Sequence, residues 1–183
     1  IVTVEDKVTP VMACSNYTLY LDVTGNGTLS VIDINNGSSD NCPSGLFFYL
    51  SKTSFNCSDI GSPVDVTLVG TDASGNSSSC ISKVTVLDTI SPVINFKQFT
   101  LVIGSSGTAS LLPSDLDNGT YDNCGNVTLS VSPNTFGCTD LGTKTVVLTA
   151  LDSHGNSSSR NVPLNISSTL VLASMSLGTC EMS

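Results

Sequence analysis

Two consecutive all-β domains, each an antiparallel sandwich held by disulfides, are the fold this sequence predicts. Three observations predict it: the chain repeats itself at an offset of 80–82 residues, apolar residues alternate with polar ones, and two of its cysteine positions recur in both copies. Fixed-period self-similarity sets an architecture before any single motif does. At offset 82, VTVED (2–6) reads against VTVLD (84–88), Thr9–Cys14 against Ser91–Phe96, and Ile32–Cys42 against Ser114–Cys124. Ser51–Gly61 matches Ser132–Gly142 at 81, and 66–79 matches 146–159 at 80. The offset shrinks between blocks, as when loops absorb deletions and the framework does not.

In chain order the elements follow from period and punctuation. Val66, Leu68 and Gly70 alternate with polar neighbours, as do Val146, Leu148 and Ala150, which is the period of a half-buried strand. Turn signals cut the chain at Gly25-Asn26-Gly27, Asn36-Gly37, Ser74-Gly75-Asn76, Gly104 to Gly107, Asn118-Gly119 and His154-Gly155-Asn156. No helical stripe with caps stands out. Short strands in units of about 80 residues fit an immunoglobulin-like sandwich. The expected division is an orphan N-terminal strand 1–8, repeats 9–88 and 89–168, and a tail or extra strand 169–183. Pro92 in the short linker 86–93 predicts a stiff join.

Composition narrows the function. The chain has 183 residues, only 6 Lys+Arg and a formal charge of −9, which argues against nucleic acid and anionic membrane as partners. No apolar run is long enough for a transmembrane span, so membrane insertion is not expected. Cys42 and Cys57 recur as Cys124 and Cys138, whereas Cys14 and Cys80 are replaced together, by Phe96 and Arg160. Partners that vanish together imply the pairs Cys14–Cys80, Cys42–Cys57 and Cys124–Cys138, with Phe96 filling the place of the first bridge. Bridged cysteines place the chain in an oxidising, extracellular compartment. Cys180, outside the repeat, is read either as a terminal thiol or as an intermolecular link.

Nine of the fifteen asparagines stand in Asn-x-Ser/Thr: Asn16, Asn26, Asn36, Asn56, Asn76, Asn118, Asn126, Asn156 and Asn165. Several fall in turns, where a glycan can project into water, so covalent glycans are expected. Asp33, Asp40, Asp115, Asp117 and Asp122 gather oxygens of the kind calcium takes, though Gly comes one place early for an EF-hand loop and no Glu closes it. Capping of the loop backbone by the same side chains is the competing reading. Apart from calcium no cofactor is implied. Asp72 and Asp152, ahead of the Gly-Asn turns, are read as hairpin anchors. No GxSxG, HExxH or phosphate loop occurs, the single His154 lies in a turn, and Trp is absent, so no catalytic residue is assigned and an enzyme is not expected.

The order Pro10, Cys14, Ser39-Asp40-Asn41-Cys42, Cys57, Gly61, Thr71-Asp72-Ala73-Ser74-Gly75-Asn76, Cys80, Val84-Thr85-Val86, Asp88 and Pro92 resembles hyalin-type immunoglobulin-like repeats over about residues 1–168. It is similar to the tandem repeats of large Bacteroidetes surface and gliding-motility adhesins. The resemblance implies an extracellular, non-enzymatic adhesive or fibre-building module. Because VTVED matches a last strand with no repeat before it, the sequence predicts a strand seeking a sheet edge. The expected function is a glycosylated subunit of a cell-surface or secreted filament, a homopolymer assembled head-to-tail by β-strand addition at a neighbour's second repeat, where Pro163 would loosen the edge. The alternative is a repeat module of a large adhesin that binds calcium or glycan.

Overall fold

The computed structural model describes residues 2–42 and 45–169, and the chain divides into two compact units, 1–90 and 91–183. Cys180 and the tail 170–183 lie outside the described residues. In the first unit the strands are β1 (Tyr17–Tyr20), β2 (Asn26–Thr28), β3 (Phe47–Leu50), β4 (Ser54–Asn56), β5 (Val64–Thr71) and β6 (Ser77–Leu87). They form one sheet in the order β1-β6-β5-β3 and a second of β2 and β4. The second unit repeats this with β7 (Thr100–Ile103), β8 (Thr108–Ser110), β9 (Thr128–Ser132), β10 (Thr135–Gly137), β11 (Gly142–Leu151) and β12 (Ser157–Ser168), ordered β7-β12-β11-β9 and β10-β8. One short helix follows the second strand of each unit, α1 (Val31–Ile34) and α2 (Pro113–Leu116). The predicted all-β class is what the chain adopts. The sheets are mixed rather than purely antiparallel, since β1 pairs parallel with β6 and β7 with β12.

The alternation read from the sequence is the alternation of burial. Val66, Leu68 and Gly70 face the first core, and Val146, Leu148 and Ala150 the second. Leu19, Leu29, Ile34, Phe55, Val84 and Val86 complete the first core, and Leu101, Leu111, Leu116, Phe136, Leu164 and Ile166 hold the corresponding places in the second. Where the copies differ, the neighbours explain it. A Cβ on Gly70 would collide with the Met12 sulfur, whereas Ala150 packs in a core with Ile94 at the Met12 position. Ser82 is buried because its hydroxyl donates to the Ser15 carbonyl at 2.8 Å; the second unit has Val162 there.

Each unit has a head, at the β5–β6 or β11–β12 turn, and a tail at the opposite end of those strands. Cys14 and Cys80 are bonded as expected, with Cα atoms 5.8 Å apart. Phe96 takes the backbone place of Cys14, its bridge to Asp117 matching Cys14 to Asn35. It remains 36% exposed, so it only partly fills the volume of the bridge it replaces.

The other two expected bridges are corrected. Cys42 is a free thiol at the head of its unit, beside Asp6 and Asp72. The Cys57 sulfur lies 3.6 Å from the Gly25 carbonyl oxygen, at the tail. Between these ends runs β6, eleven residues or roughly 30 Å, far beyond the ~7 Å between Cα atoms that a disulfide tolerates. Cys124 and Cys138 are separated in the same way. The Cys124 loop packs near Ser153 at the head, and the Cys138 sulfur sits 3.5 Å from the Gly107 carbonyl oxygen at the tail. Cys57, Cys124 and Cys138 are each disulfide-bonded, and with Cys42 free the bond of Cys57 is not to Cys42.

Pro163 stands where β12 has one strand partner, β11, among the described residues. It lies inside β12, opposite Thr145, in a strand flanked by β11 along its length and by β7 at its end. A second such flank is on β11, where Gly142–Val146 pair with β12 alone among the described residues, because β9 reaches only Val147–Leu151.

Candidate assembly site at the head of the first unit

Residues 2–8 carry the strand pattern of VTVLD but pair with no strand among the described residues. Val2 is 90% and Val4 94% exposed, while their counterparts Val84 and Val86 are 0% and 2% exposed within β6. The segment is anchored where it meets the unit. The Asn76 side-chain amide donates to the Asp6 carbonyl at 3.1 Å, and the Val8 N–H donates to Asp6 Oδ1 at 3.0 Å. Further along, the Ser78 hydroxyl donates to the Pro10 carbonyl.

The turn that receives this segment is built from one aspartate. Asp72 Oδ1 accepts from the backbone N–H of Ser74 and of Asn76, both at 2.8 Å, and Oδ2 accepts from Asn76 Nδ2 at 2.8 Å. Asp152 does the same with His154 and Asn156. These are the hairpin anchors the sequence predicts. Asp22 closes a third such turn through Thr24 and Asn26, so Asp-x-x-Gly-Asn specifies its own closure.

Cys42 faces this head. Its N–H donates to Asp40 Oδ2 at 2.9 Å, and one ligand-type atom from each of Asp6, Asp40 and Cys42 lies within 4.8 Å of the other two. The hydrogen bond between the thiol and the Asp6 carboxylate pushes the thiol above its ordinary range, and desolvation and the charges of Asp6, Asp40 and Asp72 add to this. The same bond, with the Val8 N–H, holds the Asp6 carboxyl below its ordinary value. Asp40 Oδ1 is buried without a hydrogen-bond partner. A surface pocket of about 280 Å³ opens beside them, lined by Asn35, Ser38, Asp40, Cys42 and Phe48 among others. Asp6 and Asp72 were not singled out with Cys42 from sequence, although the match of VTVED to VTVLD placed Asp6 at a strand end.

The five aspartates read as calcium ligands do not converge. Asp33 accepts from Ser30 N, and Asp115 from Leu112 N, each capping its short helix. Asp117 accepts from Thr120 N, and Asp40 and Asp122 accept from the N–H two residues on. Each carboxylate serves its own loop backbone.

The sequons divide by what the side-chain nitrogen does. Asn36, Asn118, Asn126 and Asn165 are exposed, as are Asn26, whose amide bonds Thr24, and Asn56, whose side-chain oxygen caps Ser58. Asn16 is exposed too, and its side-chain oxygen accepts from Lys83 N. In Asn76 and Asn156 the nitrogen that would carry the sugar donates to a buried aspartate. Glycopeptide mass mapping is therefore expected to find glycan at Asn36, Asn118 and Asn126 and none at Asn76 or Asn156. Occupancy of the last two would show that the turn closes without their amides.

No family model and no curated protein matches the chain. Among solved structures it is similar to human protocadherin-24 EC1-2 (15% identity, TM-score 0.46, covering 89% of this chain and 100% of that one). It is also similar to human mucin-like protocadherin EC1-2 (13%, TM-score 0.37, covering 87% and 98%) and to titin domains I67–I69 (10%, TM-score 0.37, covering 89% and 67%). At this distance no function passes from those proteins to this chain. Among the described residues no helix is long and apolar enough to cross a membrane.

Proposed function

We propose that the chain is a non-enzymatic, extracellular structural module, a glycosylated subunit that joins copies of itself head-to-tail by β-strand addition. The observation that carries this is the exposure of Val2 and Val4 against the burial of Val84 and Val86. Two valines spaced for one face of a strand lose apolar burial of roughly 1.5–3 kcal/mol each by standing in water, which favours any sheet that accepts them. The flank of β11 at Gly142–Val146, next to the tail of the second unit, supports the acceptor role. The Cys14–Cys80 bridge supports an oxidising compartment.

The test is negative-stain electron microscopy of the native material, with intact mass before and after deglycosylation. Uniform fibres that disappear on Val2→Asp/Val4→Asp substitution are expected, with a mass above the 18.9 kDa polypeptide. Monodisperse particles of bare polypeptide mass overturn the reading in favour of an isolated repeat module of an adhesin.

A further inference from the structure

We infer that the head of the first unit is one half of a chain-to-chain joint, closed by a disulfide between Cys42 and Cys138 of a second copy. This rests on the head-to-tail reading above and names its covalent contact.

The first ground is the internal comparison the repeat provides. The Cys42 and Cys124 loops are the same structure: each cysteine N–H donates at 2.9 Å to the aspartate two residues before it, Asp40 or Asp122. The side-chain amide of Asn41 or Asn123 lies 3.4 or 3.5 Å from the sulfur that follows it. At the second-unit position the sulfur is disulfide-bonded; at the first-unit position it is free. The same loop thus presents a bridging sulfur wherever a bridge is available to it. The second ground is independent of the cysteine: the unpaired Val2 and Val4 leave from Asp6, whose carboxylate contacts the Cys42 thiol, so an incoming sheet is brought to this sulfur.

Charge selects the partner end. Asp6, Asp40 and Asp72 surround Cys42, so two heads placed face to face would oppose six carboxylates. The tail of the second unit instead carries the Gly142–Val146 flank of β11, which begins four residues after Cys138, so a strand added there brings Cys42 towards that sulfur. A head therefore meets a tail, and the contact propagates from copy to copy.

The bond forms by thiol–disulfide exchange. The Cys42 thiol gives up its proton and its thiolate attacks the Cys138 sulfur of the second copy. The Cys42–Cys138 bond forms as the existing Cys138 disulfide breaks, and the displaced thiolate takes up a proton, with no net oxidation. The Asp6 carboxylate that holds the Cys42 thiol above its ordinary range makes this attack slow, so the exchange depends on docking that keeps the two sulfurs together.

The test uses the full chain without reductant, quenched with iodoacetamide and read by non-reducing electrophoresis, peptide mapping and electron microscopy. A ladder of multimers that collapses with reductant, a Cys42–Cys138 linked peptide, and loss of both in Cys42→Ser are expected. Because Cys42 forms no disulfide within its own chain, that variant keeps its fold. Filaments in which Cys42 is fully alkylated, or is linked to a second Cys42, overturn this inference and leave strand addition standing. A chain that stays monomeric and forms no filament overturns both.

Discussion

Replacing Cys14 and Cys80 together with alanine should melt the first unit and spare the second. The bridge joins residues 66 apart in sequence, ahead of β1 and within β6. On the chain-entropy model a loop of that length is worth about 4 kcal/mol. For a domain of this size that is a fall in Tm of roughly 15–30 °C. The second unit carries Phe96 and Arg160 at these positions and has no such constraint to lose. Calorimetry of the double variant should show one transition displaced to low temperature and one unmoved. A first-unit shift of only a few degrees would show that the core, from Leu19 to Val86, holds the unit without its bridge.

Asp152→Ala should cost the second unit about 2–3 kcal/mol, because three donors lose a charged acceptor at once. The His154 and Asn156 N–H groups, both at 2.8 Å, and Asn156 Nδ2, at 2.7 Å, all point at this carboxylate. Burial is the largest influence on it and raises its pKa; the hydrogen bonds from Asn156, His154 and Gly155 together outweigh burial, so the carboxyl titrates below its ordinary value. A folded-state pKa below the unfolded one means the stabilisation is complete above the ordinary aspartate value of about 3.9 and is lost as pH falls through the folded value. The Tm difference between wild type and variant should therefore be constant from neutral pH to about pH 5 and should close on further acidification. A gap that persists at pH 2 would assign the effect to packing. Asp72 is shifted in the same direction by the same balance.

The repeat, the two-residue alternation and the Asp-x-x-Gly-Asn turns were enough to read two β-sandwich units and their cores, because all three are local. A strand's period shows which face is buried, as at Val66 and Leu68, and an aspartate two residues before an N–H closes a turn wherever it is placed. The Cys14–Cys80 pair was legible because both members disappear together from the second copy. Cys42 and Cys57 misled for the opposite reason. Their joint recurrence as Cys124 and Cys138 records a shared repeat position, and only tertiary structure reveals that such positions lie at opposite ends of a unit. Pro163 was legible as a residue that cannot donate, but whether it borders an open edge depends on the order β7-β12-β11-β9, which no local pattern encodes. The gathering of Asp6, Asp40, Asp72 and Cys42 belongs to the same class. It is made by three segments far apart in sequence, and packing alone determines which carboxylates share a sulfur.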